Sequence, residues 1–308
     1  MRASRDGSTR VVYAALAGNV AIAVAKFVAY GLSGSSAMLT EAIHSLVDST
    51  DQILLLVGQA RGRPPADAGH PLGHGMETYF WSFIVAVMVL LLGGVASVYQ
   101  GVQHLLAPEA IASPAINLAV LGVAAVFEGS TLSIAYREFK RVVRGRDVAL
   151  WTFIRVSKDP SLYASLLEDS AALVGIAIAA LGVLGTAVFH VWWADGAASL
   201  AIGGLLTAVA AVLANETRSL IAGEAVAPPV MAEIKRLLGA DARIVNVVEI
   251  ATLHLGPKAV LVALTLSFQS SMTLEDLRRA IRELTAAMKQ ADGRIAYVYV
   301  RPAPGDGD

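Results

Sequence analysis

No cysteine occurs among the 308 residues. This excludes disulfide bonds and thiolate metal ligands together, so any metal must be held by His, Asp or Glu. Charge is scarce as well: 16% of the chain is Asp, Glu, Lys or Arg, and the formal net charge is -1. With no excess of positive sign, no nucleic-acid partner is expected. His-Glu-x-x-His is absent too, which removes the zinc-binding helix of a metalloprotease. An intramembrane metalloenzyme thus has little support in its protease form, and no catalytic residue or organic cofactor is expected. What the chain has in plenty is apolar surface: 56% of residues are hydrophobic and the mean hydropathy is +0.61. One globular core cannot bury that much, so the protein belongs in a membrane.

Six runs reach the roughly 20 residues that cross a bilayer, at about 10–31, 36–58, 79–105, 114–136, 161–188 and 195–221. The first continues past signal-peptide length without a small-residue cleavage site and is read as a retained span. The links after the first, third and fifth spans contain no Lys or Arg. The opposite side collects Arg2, Arg5, Arg10, Arg61, Arg63, Arg137, Lys140, Arg141, Arg144, Arg146, Arg155 and Lys158. That asymmetry predicts a multi-pass protein with both termini in the cytoplasm. Trp192 and Trp193, between the last two spans, suit the outer interface.

After Gly223 the composition becomes that of a small soluble domain. Pro228 and Pro229 open a helix. Ile244–Leu253 and Ala259–Phe268 read as strands, and Val260, Val262, Leu264, Leu266 and Phe268 share one face of the second. Thr273 and Asp276 form a capping-box pattern ahead of a helix to about Gln290, and Gly293 precedes a last strand, Arg294–Val300. The expected fold is therefore membrane α-helical: a six-span domain over 1–222, then a cytoplasmic α-β-β-α-β domain over 223–308. At about 80 residues such a domain is marginal alone, which points to dimerisation and a homodimer.

Charge inside the spans is expensive and marks function. In the second span Glu41, His44, Asp48 and Asp51 are spaced by three, four and three residues, one polar stripe along a helix. His44 and Asp48, one turn apart, direct an imidazole and a carboxylate to one point. In the fifth span Glu168 and Asp169 bring two more acids, with Ser165 one turn before Asp169. A His, two carboxylates and one further oxygen suit a divalent cation such as zinc, while iron, manganese and cobalt accept the same donors. Interhelical hydrogen bonding is the plainer alternative, although five acids and a His exceed what it requires. Glu128, in the fourth span, either relays protons or makes a structural hydrogen bond. Gly93, Gly94, Gly182 and Gly185 are read as close-packing positions and not hinges.

A second cluster lies between spans two and three: Asp67-Ala-Gly-His70-Pro-Leu-Gly-His74-Gly-Met-Glu77. Potential ligands at i, i+3 and i+7 with glycines between them suit a compact metal loop, and a solvated His-containing turn fits equally.

Taken together, the six spans, the His-x-x-x-Asp pair, the Pro-Pro-x-Asp-x-x-His-Pro-x-Gly-His-Gly loop from Pro64 to Gly75 and the terminal α/β domain resemble the cation diffusion facilitator family of divalent-metal/proton antiporters. The Leu-Glu-Asp-Ser run is similar to a branch that includes the mitochondrial zinc transporter of animals. The resemblance implies that His44, Asp48 and Asp169, with Glu168 adjacent, bind the transported metal, and that Asp67, His70 and His74 bind a second. Glu41, Asp51 and Glu128 become candidates for a proton pathway. It further implies a homodimer whose partners are metal ions and protons, exporting zinc, or alternatively iron, manganese or cobalt, across a bacterial inner (plasma) membrane. A metal-responsive scaffold that transports nothing is the alternative of a different class. Two departures stand out. Ser165 occupies a position where the family usually has His or Asp, and Tyr299-Val300-Arg301 replaces a His-x-Asp pair, so no regulatory metal site is expected in the terminal domain. His254, isolated, is expected at the surface.

Overall fold

The structure, a computed structural model, describes residues 3–108, 111–143 and 149–303. Arg2, Arg144 and Arg146 lie outside the described residues, as do the side chains of Arg5, Arg10 and Arg155. The chain falls into two compact units.

The first unit is helical. It takes the chain up to Val57, Trp81–Arg155 and Asp159–Glu216. Its elements are α1 (Ala3–Ser33), α2 (Ser36–Arg61), α3 (Glu77–Met88) continuing through a π-helical stretch (Val89–Val95) into α4 (Ala96–Leu106), α5 (Pro114–Val142), α6 (Leu150–Val156), α7 (Pro160–Ala187) and α8 (Ala194–Ile221). Pro114 and Pro160 stand at helix starts, where the missing N–H costs nothing, and the Asp159 carboxylate accepts from Ser161 N at 3.2 Å to cap α7. Five of these helices are long and apolar enough to cross a membrane, with α3, the π-helical stretch and α4 counting as one. α2 has the length, 26 residues, but its acidic stripe lowers its hydropathy below the others. The short α6 and the π-helical stretch are additions to the sequence reading; seven residues are too few for a periodic signal.

Small residues let the helices close on one another. A Cβ on Gly94 would lie 2.5 Å from Thr207 Oγ1, one on Gly182 2.6 Å from Ala198 Cβ, and one on Gly185 2.7 Å from Ala194 Cβ, so α8 packs almost backbone to backbone at these points. The core of this unit runs through Met38, Ala86, Leu121, Ile154, Tyr163, Leu166, Ile202 and Leu206. Trp192 and Trp193 are exposed in the turn between α7 and α8.

The second unit holds Thr217 onward together with Gly58–Phe80 and Val156–Lys158, so the segment linking α2 to α3 belongs to the α/β body. Its elements are α9 (Pro228–Ala240), β1 (Ile244–Gly256), β2 (Ala259–Phe268), α10 (Leu274–Ala291) and β3 (Ile295–Pro302). The sheet order is β1-β2-β3, with β1 antiparallel and β3 parallel to β2. Val260, Val262, Leu264 and Leu266 alternate onto one buried face, covered by Ile234 and Leu238 of α9 and Leu284 and Met288 of α10. The capping box is formed: Thr273 Oγ1 accepts from Asp276 N, and Thr273 N donates to the Asp276 carboxylate, both at 3.2 Å.

Candidate metal centres

In α2 the stripe is buried. Glu41 and Asp51 are fully buried, His44 is 1% exposed, and Asp48 is half-buried. His44 Nδ1 stands 3.4 Å from Asp48 Oδ1, the one-turn spacing realised. Neither His44 nitrogen, neither Asp51 oxygen, nor Asp48 Oδ1 has a hydrogen-bond partner. Buried polar atoms are almost always satisfied, so this concentration of unsatisfied polar atoms needs a ligand or protons to explain it.

From α7, Glu168 is buried with Oε1 also unpartnered. The charged neighbours of Asp48 include Glu128, Glu168 and Asp51, and Glu168 is likewise the neighbour of Asp51. Asp169 instead sits beside Glu128 and the Thr131 hydroxyl of α5. The two adjacent acids thus face different helices, and the one nearer α2 is Glu168. The resemblance names Asp169 with His44 and Asp48; the α7 acid among the charged neighbours of Asp48 is Glu168, set by the rotation of α7 about its axis, which spacing cannot supply. These donors stand apart: among the described residues, only Asp67, His70 and His74 make a group of three or more ligand atoms all within 4.8 Å of one another. Ser165 Oγ donates to the Ser161 carbonyl at 3.0 Å, a bond within its own helix.

Two residues of consequence went unread in the sequence. Lys26 of α1 is fully buried, and its ammonium donates to Glu41 Oε2 at 2.9 Å and Ser45 Oγ at 2.7 Å. A lone basic residue in the middle of an apolar run was the available signal, since such a charge demands a partner. Asp195, at the start of α8, accepts from Ser35 Oγ at 2.6 Å and from the backbone N–H of Ser36 and Ala37 at 2.5 and 3.3 Å, capping α2 from another helix. His104 Nε2 lies 3.6 Å from the same carboxylate.

The second cluster belongs to the α/β unit. Asp67 Oδ2 is 2.9 Å from His74 Nε2, Asp67 Oδ1 is 3.6 Å from His70 Nδ1, and the two rings stack with centroids 4.0 Å apart. Two imidazoles and a carboxylate converging this way are a donor set that fits a divalent cation. The bond from His74, then those from the backbone N–H of His70 and Gly69, hold the Asp67 carboxyl down at about 2. The glycines have separate tasks. Gly73 takes φ +86° so that its N–H can return to the His70 carbonyl at 2.9 Å. Gly75 lets its backbone lie on the Leu255–Gly256 turn, where a Cβ would strike the Leu255 carbonyl.

His254 is a correction. It is 1% exposed, because the end of β1 is covered by that same contact and by the strand-like bond from His254 N to the Glu224 carbonyl at 3.4 Å. Burial first, then the nearby Lys158 and Arg294 charges, pushes its imidazole down to about 4.

Residues 12–222 match the family of the cation efflux transmembrane domain. The human mitochondrial proton-coupled zinc antiporter SLC30A9 is 32% identical over 250 residues, covering 81% of this chain and 44% of that protein. Metal tolerance protein C4 of Arabidopsis thaliana is 29% identical over 282 residues, 91% of this chain and 62% of its own. Magnetosome protein MamM of Paramagnetospirillum magneticum is 28% identical over 193 residues, 63% and 56% respectively. The chain thus spans less than two thirds of the length of each of these relatives. With the family's transmembrane domain matched across more than half of its residues, the chain belongs to the cation efflux family, whose wider name is the cation diffusion facilitators.

Proposed function

We propose that the protein is a secondary transporter, not an enzyme, that exports a divalent metal cation, zinc before iron, manganese or cobalt, in exchange for protons. The observation that carries this is the set of unsatisfied ligand atoms of His44, Asp48, Asp51 and Glu168 on α2 and α7, in a unit with five helices long and apolar enough to cross a membrane. The zinc and proton assignments draw support from the human relative, itself a proton-coupled zinc antiporter, and from the imidazole in the donor set.

In this reading His44 and Asp48 take the metal first, and Glu168 or Asp169 completes the shell as α7 turns. Asp51 and Glu128 pass protons. Ligands must be deprotonated to bind, so a proton arriving from the far side displaces the metal and the two fluxes are linked through the same groups. Asp67, His70 and His74 hold a second metal that stiffens the segment between α2 and α3. The protein works as a homodimer in a bacterial inner membrane with both termini in the cytoplasm, an orientation supported by the distribution of Lys and Arg.

Flux into proteoliposomes, measured for zinc, manganese, iron and cobalt side by side with and without a pH gradient, tests this. Zinc uptake that is driven by outward proton flow and that acidifies the outside is expected. Binding without flux of any metal would replace transport by the scaffold reading.

A further inference from the structure

Among the described side chains of the helical unit, Lys26 is the one buried Lys or Arg, and metal binding gives it no task. A lysine in mid-membrane is costly and persists where something fixes it. Here its ammonium bridges Glu41 and Ser45, four residues apart on α2, at 2.9 and 2.7 Å. The other Glu41 oxygen, Oε1, has no hydrogen-bond partner and rests on Gly175 of α7, where a Cβ would come within 2.5 Å. Glu41 is therefore clasped between α1 and α7, while the rest of the stripe faces the acids of α5 and α7. His44, Asp48 and Glu128 all lie within electrostatic reach of the ammonium.

We propose that Lys26 is a built-in counter-cation that neutralises Glu41 permanently, withdraws it from metal and proton traffic, and sets how strongly the His44–Asp48 pair attracts a divalent cation. This rests on the transport reading. It removes Glu41 from the proton pathway that the stripe alone suggests, and it makes Lys26 a positioning residue.

The test is charge deletion singly and together, read by zinc titration of the purified full chain and by the pH profile of zinc flux. Glu41→Gln strands the ammonium beside the site, and zinc affinity should fall by about tenfold or more, since part of the cost of stranding one partner of a buried pair falls on the incoming dication. Lys26→Met strands the carboxylate, which must then take a proton or a cation, and the pH profile should shift. Lys26→Met/Glu41→Gln restores neutrality and should return both affinity and pH profile to within about threefold of the parent, well inside the tenfold that 1.4 kcal/mol represents. If the single variants fail to fold, the double variant decides alone. A double variant as impaired as Glu41→Gln would mean that Glu41 itself carries metal or protons and would overturn the proposal. Single variants with unchanged affinity and pH profile would overturn it equally. Because the titration reads binding without flux, it stands even if the parent moves no metal.

Discussion

The two His-and-acid clusters differ in a way that residue types alone do not express. At the loop, Asp67, His70 and His74 have drawn their ligand atoms within 4.8 Å of one another, with the Asp67 side chain 54% exposed and His70 57%. On α2 and α7 the same kinds of groups are buried and remain apart. Water explains the contrast. Two like charges 4 Å apart cost about 1 kcal/mol in water and about 4 kcal/mol at an effective dielectric of 20. The loop joins one carboxylate to two imidazoles and lets a tight turn supply N–H donors. The helices must gather several carboxylates where nothing screens them. A cation or protons between them would let such acids converge, and the proposed transport site depends on that.

The comparison breaks most visibly at Asp48. Removing this carboxylate deletes a donor that the loop cannot replace, so Asp48→Ala should lower zinc flux by about a hundredfold or more, the upper range for losing even an indirect metal contact. The protein should still elute as a folded species, because Asp48 is not a packing group. Near-normal flux would dismiss the stripe as a transport site. The pair on α7 sharpens this. Glu168→Gln should weaken zinc binding by about tenfold and Ser165→Ala by little, since the serine hydroxyl is engaged with its own helix. A strong loss with Ser165→Ala and none with Glu168→Gln would exchange their roles.

Much of this was legible beforehand, and the rest was hidden for identifiable reasons. Five long apolar helices, the Thr273 capping box and the strand face of Val260 to Leu266 are patterns local in the chain, and the structure has each of them. Which of Glu168 and Asp169 turns toward α2 depends on how α7 packs against α5, a tertiary choice that a 100° step on a helical wheel does not settle. The partner of Lys26 lies 15 residues away on another helix. His254 looked like a surface residue because the segments that bury it, around Gly75 and Glu224, are remote in the chain.

At the loop the expected effect is smaller. Replacing Asp67, His70 and His74 together by Ala should remove one bound zinc per protomer, counted by elemental analysis, while zinc affinity at the helical site changes by less than about threefold, as distant independent sites do. Flux should fall several-fold through slower conformational exchange. Unchanged stoichiometry would strike the loop from the metal sites. Acidification adds a check: with its carboxyl held at about 2, Asp67 stays ionised at every pH where the protein is handled, so release of this metal above about pH 3 cannot be assigned to Asp67.

The smallest effect expected on transport lies at His254, where burial acts on an imidazole whose nitrogens have no hydrogen-bond partner. Its folded value, about 4, is below the 6.5 of an unfolded histidine, so the folded state resists a proton that the unfolded chain accepts. Stability from this group is therefore complete above about pH 6.5, declines as pH falls toward about 4, and changes no further below that. The dependence is at most about tenfold in the opening equilibrium per pH unit, the slope of a single proton. Hydrogen-exchange protection of the β1 and β2 amides in the full chain should follow that decline, and His254→Leu, which keeps an apolar side chain among its buried neighbours, should flatten it. An identical pH dependence in the variant would assign the acid sensitivity to other groups around Lys158, Glu224 and Asp292, and would leave the burial of His254 without a thermodynamic signature.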